Sequence, residues 1–164
     1  MKRFLTPIVP VVCMRIVHAY LDAITNFGAM PFIVTVMVVT WFTSQYSLFW
    51  NVLYSFVATF VLIALIKLIF FKHRPENKSA KAKPRGIIDR VDMSTFPSFH
   101  SANASYLAIF LSINFQNLAL TVFFAFLAVC VIISRVVLKK HYVADVSVGT
   151  ALGVLASAAV IYLL

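Results

Sequence analysis

Apolar residues in this chain run in long blocks separated by short polar clusters. Residues 23–66 contain no Asp, Glu, Lys or Arg, and neither do residues 101–134. A bilayer core about 30 Å thick is crossed by about 20 helical residues. The first block therefore has room for two spans and the second for a hairpin of two. Thr43-Ser44-Gln45-Tyr46-Ser47 separates spans over about residues 24–42 and 48–71, and Asn114-Phe115-Gln116-Asn117 separates spans over about residues 98–113 and 118–137. A fifth span starts near residue 142, and residues 146–164 carry no charge. The pattern predicts an all-α, polytopic transmembrane helix bundle with five spans.

The N-terminal piece, residues 4–21, is apolar but holds Pro7, Pro10, Arg15 and His18. It reads as an amphipathic helix lying in the interface, because a charge in mid-span is costly; the alternative is a sixth, broken span. It does not read as a cleaved leader, since the two prolines interrupt the apolar run and no small-residue cleavage site follows. The chain thus divides into an N-terminal helix over residues 1–22 and a membrane core over 23–164. The core holds one long polar segment, residues 72–96, with Lys72, Arg74, Lys78, Lys81, Lys83, Arg85 and Arg90 against Glu76, Asp89 and Asp92.

Composition agrees with the pattern. Of 164 residues 62% are hydrophobic and 12% charged, about half the charged share of a soluble domain. A net charge of +9 would suggest nucleic acid in a soluble protein. Beside a bilayer it points to anionic headgroups, so the expected partners are the membrane and an anionic lipid, with no nucleic acid. Cys13 and Cys130 lie in apolar stretches and read as packing residues.

Alternating spans put the end of the second, the start of the third, the end of the fourth and the start of the fifth on one membrane face. Those ends carry Lys67 and Arg74, Ser98 and His100, Arg135, and His141 and Asp145. Lys67 and Arg74 are two helical turns apart, an axial offset of about 10.5 Å that long side chains can close onto one anion. Two snorkelling cations at a helix end are the bland alternative. Ser98 suits a helix cap, and the free N–H groups behind it suit phosphate; a histidine such as His100, taken alone, is more often an interfacial residue than a catalyst. His141 and Asp145 stand one turn apart, and steps of four continue to Gly149, Gly153 and Ser157. Such a small-residue stripe is a close-packing face between membrane helices, so the pair should point inward, as a reactive imidazole or as a helix tether. Asp22, Glu76, Asp89 and Asp92 form no cluster that suggests a metal site.

Together, Lys67-x6-Arg74-Pro75, Pro97-Ser98-x-His100 and Ser134-Arg135-x5-His141-x3-Asp145 resemble the three motifs of the type 2 phosphatidic acid phosphatase superfamily, in order and in spacing. Phe99 stands where that family usually has Gly, which keeps the backbone N–H but crowds the phosphate's approach. The resemblance implies that His141, oriented by Asp145, is the nucleophile and forms a phosphohistidine, and that His100 protonates the leaving oxygen. It implies that Lys67, Arg74, Ser98 and Arg135 bind the phosphoryl oxygens, with no metal and no cofactor. The expected function is a lipid phosphatase acting on a monoester or pyrophosphate of the lipid A 1-phosphate, undecaprenyl pyrophosphate or phosphatidylglycerophosphate type. The rivals are a lipid-to-lipid phosphotransferase of the same fold and a noncatalytic anionic-lipid binding or transport protein.

The membrane orientation draws two opposed arguments. With an interfacial N-terminal helix, all 14 Lys+Arg lie on or near the active face, which the positive-inside rule would put in the cytoplasm. Similar bacterial enzymes mostly process envelope lipids on the outer face of the inner membrane, and basic residues that serve a phosphorylated headgroup distort the charge count. The expectation is an outward-facing site. A Ser79→Cys variant with Cys13 and Cys130 replaced should react with an impermeant maleimide in intact cells; labelling only after lysis would place the site inside.

Overall fold

In the computed structural model, residues 8–73, 75, 84 and 86–163 are described, with side chains from residue 15 onward. They form seven α-helices and one 3-10 turn: α1 (Ile8–Thr25), η1 (Asn26–Gly28), α2 (Met30–Phe42), α3 (Tyr46–Ile69), α4 (Ile87–Met93), α5 (Phe99–Phe115), α6 (Leu118–Val137) and α7 (Val143–Leu163). Three of these, α3, α6 and α7, are long and apolar enough to cross a membrane, with mean hydropathies of 2.4, 2.6 and 2.0. A fourth crossing is added if the bent pair formed by residues 15–28 and α2 is one span.

The turns fall where the polar clusters predict. Ser44 (φ 59°) and Gln116 (φ 47°) take left-handed conformations at the two connections, and the Asn117 side chain caps α6 by accepting from Leu120 N–H at 3.2 Å. The N-terminal boundary differs from the sequence expectation. α1 continues past residue 22 to Thr25, and the break lies at η1, where the axis bends by 48° into α2. Pro10 sits in the first turn of α1, where its missing N–H costs no helical bond, and Pro31 does the same for α2. The 13 residues of α2 reach only about 20 Å, so it does not match the full span read over 24–42. The polar segment 72–96 also contains a helix, α4, that its charge pattern concealed.

At the centre lies α5, packed on α6, α7 and α3. Its buried face runs through Ser101, Asn103, Tyr106, Leu107 and Phe110, and Asn103 Nδ2 donates to the Gly28 carbonyl at 3.0 Å, fixing η1 against it. The stripe on α7 is buried as its spacing predicts: Asp145, Gly149, Gly153 and Ser157 all face inward. A Cβ on Gly149 would collide with the Ser98 carbonyl, and one on Gly153 with the Ala102 carbonyl. The two backbones touch, and neither carbonyl can move without disturbing α5.

Close approach of this kind makes the stripe intolerant of volume. Gly153→Leu should cost at least the ~1–3 kcal/mol of ordinary overpacking and sharply lower the thermal midpoint in detergent, with Gly153→Ala intermediate. Gly86→Ala, whose Cβ meets nothing within 4 Å, is the matched control and should leave the midpoint unchanged.

Candidate active site

The ends of α3, α5, α6 and α7 meet at one end of the bundle, roofed by α4. There they enclose a cavity of about 530 Å³. Lys67, His100, Arg135 and His141 line it, as do Asp92, Phe99 and an apolar wall of Phe60, Ile63, Ala64, Ile87, Ile88 and Val91. Of the expected site residues, four therefore share one space. Ser98 and Asp145 are fully buried behind the wall, and Arg74 lies outside the described residues, as do Lys78, Lys81, Lys83 and Arg85.

Each side chain is held by local structure. Lys67, in the last turn of α3, is buried and donates from Nζ to the Val91 carbonyl of α4 at 3.1 Å. Ser98 is the N-cap of α5: its Oγ accepts from Ser101 N–H at 3.4 Å and from Ser101 Oγ at 3.0 Å. That leaves His100 in the first turn. The Phe99 ring packs edge-on against Phe56 and Phe60, with centroids 6.2 and 5.6 Å away, so the residue in the usual Gly position is braced against α3. Arg135, in the last turn of α6, is followed by a tight connection in which Lys140 and His141 N–H both reach the Arg135 carbonyl at 3.1 Å.

His141 is oriented differently from the sequence expectation. Its Nδ1 lies 4.0 Å from Asp145 Oδ2, beyond hydrogen-bond reach. Instead Nδ1 is 2.8 Å from the Thr95 carbonyl and 3.0 Å from Thr95 Oγ1, which makes Nδ1 the protonated nitrogen and leaves Nε2 with its lone pair. Asp145 is held by Lys72, whose Nζ is 2.6 Å from Oδ1, and by Tyr142 N–H, 2.9 Å from Oδ2. Sequence reasoning missed Thr95 and counted Lys72 only among the loop cations. The one trace was the uncharged pair Ser94-Thr95 just ahead of Pro97.

Backbone bonds tie these pieces together. Ser98 N–H donates to the Asp145 carbonyl at 2.9 Å, joining α5 to α7, and Thr95 N–H donates to the Lys72 carbonyl at 2.8 Å, closing the neck of the polar segment. Among the described residues no three of His, Cys, Asp and Glu stand together as a metal-holding group.

The sequence pattern of the PAP2 superfamily matches residues 48–164, which contain every one of these side chains. The chain belongs to the PAP2 superfamily. By family it is a PAP2-type lipid phosphatase with that family's transmembrane fold. The crystal structure of Aquifex aeolicus LpxE is similar over 90% of this chain and 86% of its own, with a TM-score of 0.73 and 18% identity. The crystal structure of a transmembrane PAP2-type phosphatidylglycerolphosphate phosphatase from Bacillus subtilis is similar over 90% and 76%, with a TM-score of 0.68 and 25% identity. Curated protein sequences gave no match.

Electrostatics favour a neutral imidazole. Burial and the Arg135 guanidinium, with Lys67 behind it, hold His141 down from 6.5 to about 4, against the opposing pull of the Thr95 carbonyl and Asp145. An unfolded histidine takes up its proton near 6.5 while the folded one refuses it until about 4, so the unfolded state gains protons first and stability drains away as pH falls through that window. The thermal midpoint in detergent should therefore drop between pH 6.5 and 4 more steeply in the wild type than in His141→Gln. Parallel curves would show that His141 titrates normally.

Proposed function

We propose that this chain removes phosphate from a membrane lipid by way of a phosphohistidine on His141. The observation that carries the proposal is the placement of a buried imidazole, tethered through Nδ1, in one cavity with Lys67, His100 and Arg135. Nε2 attacks phosphorus, and the N–P bond forms as the bond from phosphorus to the lipid oxygen breaks. His100, protonated, gives its proton to that departing oxygen. Water then adds to phosphorus, the N–P bond returns its electron pair to Nε2, a proton from the water goes to His100, and inorganic phosphate leaves. Lys67, Arg135 and the N–H groups at the start of α5 offset charge on the equatorial oxygens. Arg74 completes the set by its motif position, and Ser98 acts by capping α5.

The apolar half of the cavity fits an acyl or prenyl chain better than a free phosphate ester, since Ile87 and Ile88 are 71% and 84% exposed in a chain otherwise built for the bilayer. The basic segment favours a headgroup with more than one negative charge, which ranks lipid A 1-phosphate and lipid pyrophosphates above phosphatidate. Likeness to the phosphatidylglycerolphosphate phosphatase supports keeping that monoester, expected from the sequence, among the candidates. In the membrane, α3, α6, α7 and the bent α1–α2 pair are the candidate crossings, and the central 17-residue α5 completes the five that the sequence predicts, in the inner membrane with the cavity at the outer face.

Purified protein should release inorganic phosphate from one or more of these lipids in the presence of EDTA, and vanadate should inhibit it. His141→Gln should lower the rate by about 10³-fold or more at normal folded yield. Substantial turnover by that variant, or activity that chelation stops and Mg²⁺ restores, overturns the phosphohistidine route; label appearing on a second lipid instead of in free phosphate marks a transferase.

A further inference from the structure

Asp145 Oδ2 has two donors within 3 Å, Tyr142 N–H at 2.9 Å and the Thr95 hydroxyl at 2.8 Å, while Oδ1 takes Lys72 at 2.6 Å. The carboxylate is fully buried and its acceptor sites point to these groups, with the imidazole 4.0 Å off. Thr95 is fully buried too and touches both partners. Its carbonyl and its Oγ1 flank His141 Nδ1 at 2.8 and 3.0 Å, a forked acceptor for the single Nδ1 proton. Its one hydroxyl proton goes to the carboxylate at 2.8 Å, the nearer of its two acceptors, the Lys140 carbonyl being 3.2 Å away.

We propose that Thr95 is the positioning residue through which Asp145 acts on His141: the threonine hydroxyl passes the carboxylate's polarisation to the imidazole N–H and locks the ring so that Nε2 meets the phosphorus. Donation to a carboxylate makes the hydroxyl oxygen a stronger acceptor, as in any hydrogen-bond chain, and it is that oxygen which faces Nδ1. As Nε2 bonds to phosphorus the ring gains positive charge, and the oxygen stabilises it at the Nδ1–H end. The neck of the polar segment sets the register, because Thr95 N–H is bonded to the carbonyl of Lys72, the residue that holds the other carboxylate oxygen.

This inference rests on His141 as the nucleophile, so the test separates the two. With the purified full chain and a phosphorylated lipid in mixed micelles, Thr95→Val keeps shape and carbonyl but removes the hydroxyl. It should lower kcat about 10- to 100-fold, by analogy with the hydrogen-bond partners that orient metal-ligating histidines, with KM changed less than threefold. Thr95→Ser should keep at least a third of wild-type kcat. If Asp145 works through Thr95, adding Asp145→Asn to Thr95→Val should change kcat less than threefold, whereas independent actions multiply. A multiplicative cycle, or equal loss in Thr95→Ser and Thr95→Val, overturns the proposal while His141→Gln stays inactive; an active His141→Gln overturns the nucleophile assignment itself. Should Thr95→Val not fold, Thr95→Ala takes its place, and should Asp145→Asn not fold, the serine comparison decides.

Discussion

Taking a carboxylate out of water costs several kcal/mol unless charge and hydrogen bonds replace its hydration, and Asp145 is fully buried at the head of α7. Its replacements for water come from three directions: Lys72 from beyond the end of α3, Thr95 from the approach to α5, and Tyr142 N–H from the α6–α7 connection. The last is the backward half of a helix-capping arrangement, since Asp145 N–H in turn reaches the Tyr142 carbonyl at 3.0 Å. Satisfying one buried carboxylate therefore gathers the segment after α3, the approach to α5 and the α6–α7 connection at one point beside the cavity. The Asp145 carbonyl then receives Ser98 N–H, which sets the start of α5, and with it His100, at a fixed height on α7.

That meeting is possible only because α5 and α7 are in backbone contact. Between lipid-immersed helices there is no hydrophobic gain from association, so close packing of small residues and internal hydrogen bonds hold the bundle together. The interior follows this rule: Ser55, Thr59, Ser101, Ser105 and Ser157 are buried, while Leu118, Phe126 and Tyr162 are 80%, 62% and 87% exposed. Several of the hydroxyls bond back to a carbonyl four residues earlier, as Ser105 does to Ser101 at 2.7 Å and Ser157 to Gly153 at 2.9 Å. Thr59, Ser105 and Ser157 thus satisfy their hydroxyls within their own helices and leave the interface free for backbone contact.

The same logic explains what the sequence disclosed. Helices α3, α6 and α7 were legible because bilayer thickness imposes length and apolarity on each helix separately, and the stripe from Asp145 to Ser157 was legible because its period belongs to one helix. The short α4 was not, since Ile87, Ile88 and Val91 are too few to show a period amid seven basic residues. Nor was the end of α1, because Ile24 and Thr25 continue as readily into an apolar span as into the preceding helix, and only the η1 contact with Asn103 decides. Thr95 escaped for a different reason. Spacing within one helix put Asp145 beside His141, but the partner that reaches both comes from 46 residues away in sequence, and no local pattern encodes that approach.

The cavity's charge balance finally ties the fold to the proposed chemistry. A nucleophilic imidazole must be neutral when it attacks, yet a site for a phosphoryl group must be cationic. Burial does most to keep the His141 imidazole neutral, and Arg135 and Lys67 serve both needs, because the charge that would attract the phosphate also disfavours a proton on His141. An anionic ligand on those cations offsets their share of that push, while burial remains and the Thr95 carbonyl and hydroxyl already hold the one proton at Nδ1. A second proton would have to go to Nε2, the position that bonding to phosphorus itself fills. In the proposed route, binding and attack are thus coupled through one ring: the substrate offsets part of what keeps His141 neutral, and it occupies the nitrogen at which neutrality could be lost.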